Sequence, residues 1–197
     1  MPKISAPTVA EHRRRQREAL LSAATELLVE GGVSAVTPAA VGAAAGLARP
    51  SVYQYFSSAA SILAAIIEDS FPRSNAQLAA ALDGLTDPLQ VMEAYVRETL
   101  RQAAEGAHRP AAALSAAQLP DECLARLSEL HHEQIAPFMR ALEQLAVPEP
   151  MITARLLGGV IESAMSAIES GSSFEKVTDT TLSLIRAAVQ PARSLQG

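Results

Sequence analysis

The chain has 197 residues, 49% of them hydrophobic and 19% charged, which excludes a chain that is disordered along its whole length. Cys123 is the only cysteine, so a disulfide framework is excluded; no apolar run reaches the roughly eighteen residues of a membrane span, and a soluble cytoplasmic protein is expected. The net charge of -5 argues against nucleic acid, but residues 1–56 carry +2 and the remainder -7, as a basic binding region on an acidic body would.

Every predicted element is helical, because Ala, Leu, Glu, Arg and Gln dominate and no β-branched run alternates in polarity. Thr8 and Glu11 have the spacing of a capping box and predict the start of the first helix. Gly31 and Gly32 are suited to end it. Thr37, as an N-cap, predicts the start of a short second helix.

Prolines and turn residues place the later boundaries. A third short helix is predicted over residues 49–56 and a fourth over 59–70, where Pro72 is expected to stop it. Pro137 is expected to kink or split a long helix further along the chain. The remaining helices are predicted over about 74–82, 86–105, 110–118, 119–145, 150–170 and 176–190.

The second and third predicted helices have the pattern of a helix-turn-helix. This motif needs two short helices joined by a glycine-containing turn, and Gly46 can take the left-handed turn conformation. An apolar seam between the two helices would be formed by Val41, Ala45, Leu47, Val52 and Phe56. In such a unit the second helix lies in the DNA major groove, with its N-terminal residues at the base edges.

Residues of the third predicted helix have side chains suited to DNA. Arg49 can donate a bidentate pair to guanine, and Ser51 and Gln54 are further candidate base readers. Tyr53 and Tyr55 are candidate contacts to the DNA backbone, although a tyrosine in a small helical domain is more often a core residue. Because these two lie two positions apart in one helix, both cannot face the core, and at least one is predicted to be exposed.

The segments "REALLSAATELLVEGG" and "TPAAVGAAAGLARPSVYQYF" resemble the DNA-binding unit of TetR-family transcriptional repressors over roughly residues 10–67. The shared features are a Thr that caps the second helix, an Ala-Gly-hydrophobic turn and an aliphatic-Tyr-x-Tyr-Phe sequence. The resemblance implies an all-α fold, with an N-terminal three-helix DNA-binding domain over 1–58 and a larger effector-binding and dimerisation domain over 59–197. It places at or near DNA the residues Thr37, Arg49, Pro50, Ser51, Tyr53, Gln54 and Tyr55.

Two positions depart from the family pattern. Ala48 stands where the family often has a Ser or Thr cap, and Ala59 stands where it often has a polar residue that binds phosphate. Ser57 and Ser58 remain available for phosphate. The first predicted helix carries four arginines, which are Arg13, Arg14, Arg15 and Arg17. They form either a solvated helix face or contacts with DNA, and the sequence leaves these alternatives open.

The resemblance implies a repressor that an unidentified small-molecule effector releases from a palindromic operator on double-stranded DNA. It also implies a homodimer formed through the last two helices. The broad apolar stripe and small residues over 150–170 fit such an interface, or else an ordinary intramolecular core. The alternative function is a helical small-molecule-binding or interaction protein whose DNA binding has weakened, which Ala48 and Ala59 keep open.

The remaining chemistry of the sequence is sparse. Five soft or aromatic residues are candidate effector contacts, although core packing explains such residues in most proteins: Met92, Tyr95, Phe138, Met139 and Met165. His131 and His132 are adjacent in a helix and point about 100° apart, so no metal site is expected. No catalytic arrangement is legible, and neither enzymatic activity nor a cofactor is predicted.

Overall fold

The structure is a computed structural model that describes residues 6–115 and 117–189, with side chains from residue 9 onward. The described residues form helices, turns and loops without a strand, which confirms the all-α prediction. The helices are α1 (Ala6–Gly31), a 3-10 turn (Val33–Ala35), α2 (Pro38–Ala44), α3 (Arg49–Val52), α4 (Ala59–Leu82), α5 (Pro88–Ala104), α6 (Arg109–Ser115), α7 (Asp121–Gln144), α8 (Pro150–Glu169) and α9 (Phe174–Val189).

The chain packs as two compact units. Unit 1 comprises residues 1–71 and 109–128, and unit 2 comprises residues 72–108 and 129–197. Helices α4 and α7 each contribute residues to both units. The division into functional domains between residues 58 and 59 concerns binding and regulation, and it stays a prediction.

Several predicted boundaries are wrong. The predicted stop at Pro72 does not occur, because α4 runs through it to Leu82. Pro72 is exposed, whereas Phe71 and Leu78 on the same helix are buried. Packing of such apolar side chains outweighs the roughly 3 kcal/mol that an interior proline costs. Pro137 lies inside α7 and does not split it, so of the two predicted outcomes only a kink stays a prediction.

Two further differences concern the N-terminal region. Helix α1 begins at Ala6, so Thr8 lies inside the helix and is not its N-cap. Helix α3 ends at Val52, and residues 53–55 form a turn where the sequence predicted continued helix. A helix this short makes few internal hydrogen bonds, so its ends depend on contacts with neighbouring elements.

Unit 1 has its own apolar core. Its fully buried side chains include Leu20, Leu28, Val41, Val52, Ile62, Ile66 and, on α6, Leu114. Helix α6 packs against α1. The first part of α7 is tied to α4 by Arg126, which donates to both carboxylate oxygens of Glu68 at 2.6 and 3.2 Å. The hydrogen bond from Arg126 lowers the pKa of Glu68, although burial opposes this.

Unit 2 is built around α5, α7, α8 and α9. The rings of Tyr95 on α5 and Phe138 on α7 lie in one apolar cluster, 5.1 Å apart between centroids. Arg186 on α9 donates to Glu93 on α5 at 2.5 Å, and this hydrogen bond lowers the pKa of the Glu93 carboxyl. Of the described helices, α8 has the length and composition of a membrane span, but core helices of soluble proteins share these properties and six of its residues are buried.

The hydroxyl of Thr178 on α9 is buried without a hydrogen-bond partner. An unpaired buried hydroxyl lowers stability, so the isosteric change Thr178→Val is expected to raise the free energy of unfolding by ~1 kcal/mol. The matched control is Thr181→Val, because Thr181 is equally buried but donates to the Val177 carbonyl at 2.8 Å. Urea denaturation measures both variants; equal stability changes would contradict this prediction.

Candidate nucleic-acid interface

Helix α2 is capped as the sequence predicts. Thr37 lies in extended backbone conformation at the N-cap, and its hydroxyl accepts a hydrogen bond from the Ala40 amide at 3.1 Å. Pro38 occupies the first turn, where its missing amide hydrogen is not needed. After α2, Gly46 takes a left-handed conformation with φ of 69° and redirects the chain toward α3.

Helices α2 and α3 meet at Gly42. A Cβ atom added there would lie 2.8 Å from Cγ2 of Val52 and 2.9 Å from the carbonyl oxygen of Leu47. Of the predicted seam, Val41, Val52 and Phe56 are buried beside this contact, whereas Ala45 and Leu47 are half-buried. The absence of a side chain at Gly42 therefore permits the close crossing of the two helices.

The start of α3 lacks a side-chain cap, as Ala48 predicts. Ala48 is the N-cap residue in extended conformation and makes no side-chain hydrogen bond. Its carbonyl accepts from the Ser51 amide at 2.8 Å, which is the first hydrogen bond of the helix. Pro50 in the first turn limits the number of unpaired amides.

Arg49 at the start of α3 and Tyr53 just after its end form a pair of contacting side chains at the surface. Arg49 donates from Nη2 to the Tyr53 hydroxyl at 3.1 Å, and its Cζ lies 5.6 Å from the centroid of the Tyr53 ring. Tyr53 is 44% exposed. The guanidinium thus lies at the surface beside a phenol, and both groups can donate hydrogen bonds to bases or phosphates.

Tyr55 has a different environment from Tyr53. It is half-buried, and its hydroxyl donates to Oε1 of Gln16 on α1 at 2.6 Å. The next residue, Phe56, is buried and has the Cζ of Arg17 5.6 Å from its ring centroid. The sequence-based expectation that at least one of the two tyrosines is exposed therefore holds, and Tyr53 is the exposed one.

The remaining predicted DNA-binding residues surround this face. Thr37, Pro50, Gln54 and Ser57 are exposed, and Ser51 is half-buried. At the start of α4, Ser58 and Ser61 cap one another: each hydroxyl oxygen accepts from the other's amide, at 3.1 and 3.0 Å. Of the two serines predicted to bind phosphate, Ser58 is used in this cap and Ser57 is not.

The four arginines of α1 are exposed, but two of them have intramolecular partners. Nε of Arg14 lies 3.7 Å from the Glu18 carboxylate. Arg17 contacts the Phe56 ring, as described above. Neither contact was predicted from the sequence. The contact with an aromatic ring distinguishes Arg17 from the other three arginines.

The candidate effector contacts all belong to the apolar cluster of unit 2. Met92, Tyr95, Phe138 and Met165 are buried in it, and Met139 packs against it. Burial raises the pKa of Tyr95 to about 12. These side chains lie together as a packed core, and their role toward an effector stays a prediction.

The described residues include candidate metal ligands and one cysteine. Within residues 6–115 and 117–189, no group of three or more His, Cys, Asp and Glu side chains is arranged to hold a metal ion. Cys123 is buried, and burial raises the pKa of its thiol. A thiol with a raised pKa is a poor nucleophile at neutral pH.

The outer face of α8 and α9 in unit 2 is apolar and open. Leu156 is 69% exposed and Leu184 is 53% exposed. Both line a shallow groove of about 600 Å³, together with Gly159 and Val160. The apolar stripe predicted over 150–170 thus has two faces, because Leu157, Ile161, Ala164, Met165 and Ile168 are buried inside the unit while Leu156 points outward.

Two short helices that cross at a glycine, with a polar exposed second helix, define the class of helix-turn-helix proteins. Residues 20–66 match the family described as bacterial regulatory proteins, tetR family. This match covers the helix-turn-helix together with the later part of α1 and the first part of α4. No curated protein matches the chain significantly.

Solved structures show the same fold along most of the chain. A TetR-like transcriptional regulator from Rhodococcus sp. RHA1 is 19% identical, with 89% of this chain and 97% of that chain covered and a TM-score of 0.74. AibR in complex with isovaleryl coenzyme A and operator DNA is 15% identical, with 86% and 97% covered and a TM-score of 0.73. The superantigen PfiT is 21% identical, with 86% and 95% covered and a TM-score of 0.70.

Proposed function

We propose that the protein is a homodimeric transcriptional repressor of the cytoplasm that binds a palindromic operator through α3. The observation that carries this proposal is the Arg49–Tyr53 pair on the exposed face of a helix-turn-helix. Arg49 reads a guanine through its two guanidinium nitrogens, and Tyr53 binds the adjacent DNA backbone. Ser51 and Gln54 are further base readers, and Thr37, Pro50, Tyr55 and Ser57 lie at or near the backbone.

A dimer supplies two copies of α3 to two half-sites. A symmetric operator has half-sites about 34 Å apart, so two recognition helices must be held at that spacing. The exposed leucines of α8 and α9 support a two-fold interface on this face of unit 2. The charge asymmetry also agrees, since the residues around α2 and α3 belong to the basic end of the chain.

An effector bound in unit 2 would change the spacing of the two recognition helices. Binding shifts the population toward a conformation in which this spacing no longer matches successive major grooves, and the operator is released. AibR, solved in complex with isovaleryl coenzyme A and operator DNA, supports the binding of a small molecule and of DNA by one protein of this fold. The effector contacts that we propose are Met92, Tyr95, Phe138, Met139 and Met165, because these residues lie in one cluster.

The second candidate is a small-molecule-binding or interaction protein with weak DNA binding. Its support is the start of α3, where Ala48 provides no side-chain cap, and the apolar side chain of Ala59 at the start of α4. Selection of bound DNA from a random pool separates the two candidates. A recovered palindrome supports the repressor, and recovery of unrelated sequences supports the second candidate.

Substitutions on α3 test the proposed readers. With the selected operator, Arg49→Ala is expected to weaken binding about 5- to 150-fold, because a bidentate contact to guanine is lost. Tyr53→Ala is expected to weaken operator binding as well. It removes the contact with the DNA backbone and the hydroxyl to which Arg49 donates. The control is Arg97→Ala, which removes an exposed arginine of unit 2. Operator binding that survives both α3 substitutions in a gel-shift titration would show that α3 is not the recognition helix.

A further inference from the structure

Helix α3 has too few internal contacts to hold its own orientation. It comprises Arg49–Val52 and lacks a side-chain cap at Ala48. Leu47, two residues before it, and Val52, its last residue, pack closely around Gly42. The end of the helix also depends on the turn over residues 53–55 and on Phe56, because an isolated helix of one turn is not stable in water.

Two consecutive residues of α1 contact two consecutive residues at this end. Oε1 of Gln16 accepts a hydrogen bond of 2.6 Å from the Tyr55 hydroxyl, across 39 positions of the sequence. The guanidinium of Arg17 lies over the ring of Phe56, 5.6 Å from Cζ to the centroid. Gln16 and Tyr55 are both half-buried, so the bond between them is partly shielded from water.

We propose that Gln16 and Arg17 are positioning residues that hold the end of α3 against α1, and that they act on DNA readout without reading bases themselves. The inference rests on the proposed function, since its effect appears as operator binding. It assigns the Tyr55 hydroxyl to Gln16, whereas the family resemblance places Tyr55 at or near DNA. It also separates Arg17 from Arg13 and Arg15 as a residue whose guanidinium serves the fold.

A double-mutant cycle tests the Gln16–Tyr55 contact. Gln16→Met removes the acceptor at similar length, and Tyr55→Phe removes the donor. Each is expected to weaken operator binding about fivefold, from loss of one hydrogen bond, and the double variant is expected to be no weaker than either single variant. If Tyr55 binds phosphate instead, the two losses multiply, and this result would overturn the proposal.

Two further measurements distinguish a positioning role from a direct charge contact with DNA and from a loss of stability. They are the affinity for unrelated DNA and the salt dependence of operator binding. Positioning predicts that the variants lose operator affinity but keep their affinity for unrelated DNA, so the specificity ratio falls about fivefold. Arg17→Lys keeps the charge but cannot stack flat on Phe56, and it should lower this ratio while the slope of log Kd against log salt stays unchanged. An equal loss on both DNAs, or a changed slope for Arg17→Ala with no effect of Arg17→Lys, would contradict positioning.

The same proteins separate failure of this inference from failure of the proposed function. If the wild-type chain binds no DNA, the repressor proposal fails, and the contact is then tested by urea unfolding of the four proteins of the cycle. The double variant is expected to be no less stable than the weaker single variant. Additive losses of stability would show that Gln16 and Tyr55 do not act together and would overturn the inference.

Discussion

Gly42→Ala is expected to destabilise unit 1 by about 1–3 kcal/mol and to abolish specific DNA binding, because it forces α2 and α3 apart. The new Cβ would lie 2.9 Å from the Leu47 carbonyl oxygen and 2.8 Å from Cγ2 of Val52. The first of these neighbours is backbone, and Val52 is fully buried in the seam. Neither atom can move away without shifting α3, whose first residue is Arg49.

A second helical glycine provides the matched control. Gly158 lies within α8, and a Cβ added there would have no neighbour within 4 Å. Gly158→Ala is therefore expected to raise stability by about 0.5–1 kcal/mol, through the lower backbone entropy of alanine in the unfolded chain. Urea denaturation and gel-shift titration of both variants measure the difference. Normal operator binding by Gly42→Ala would show that the crossing of α2 and α3 is looser than the structure indicates.

Local signals in the sequence were sufficient for the framework of the fold. The Thr37 cap and the Gly46 turn depend on residues within a few positions, and both are found in the structure. The helix-turn-helix and its seam follow from these signals and from the spacing of apolar residues. Tyr53 is exposed as expected, but the helix geometry on which that expectation rested is wrong, because residues 53–55 form a turn.

Contacts between distant parts of the chain were not predictable in the same way. The continuation of α4 through Pro72 depends on the burial of Phe71 and Leu78, which local propensity does not reveal. The contact between Gln16 and Tyr55 joins residues 39 positions apart. No local pattern marks such a pair, and it becomes visible only when α1 and the turn after α3 are placed together.

Gly42 is an intermediate case. A glycine inside a helix costs about 1 kcal/mol relative to alanine, and such a cost in a short helix indicates a close approach of another element. Residue 42 is the position in α2 where α3 and the turn before it approach most closely. The partner atoms on Leu47 and Val52 required the structure.

Leu156→Glu is expected to convert the proposed homodimer into a folded monomer. Leu156 is 69% exposed within the protomer, so a charge at this position leaves the core of unit 2 intact. A two-fold interface contains one copy of this residue from each subunit. The substitution would therefore bury two carboxylates, which opposes association. Leu184→Glu, on the other side of the groove, is expected to act in the same way.

The loss of the dimer should also weaken operator binding by about a hundredfold or more, because a monomer engages one half-site and loses the gain from linked binding. Analytical ultracentrifugation measures the association state, and gel-shift titration measures the affinity. The control is Leu124→Glu, since Leu124 is 44% exposed on α7 but belongs to unit 1 and does not line the groove. If Leu156→Glu stays dimeric, the interface lies on another surface. If it becomes monomeric and still binds the full operator with wild-type affinity, two-fold symmetry is not the basis of recognition.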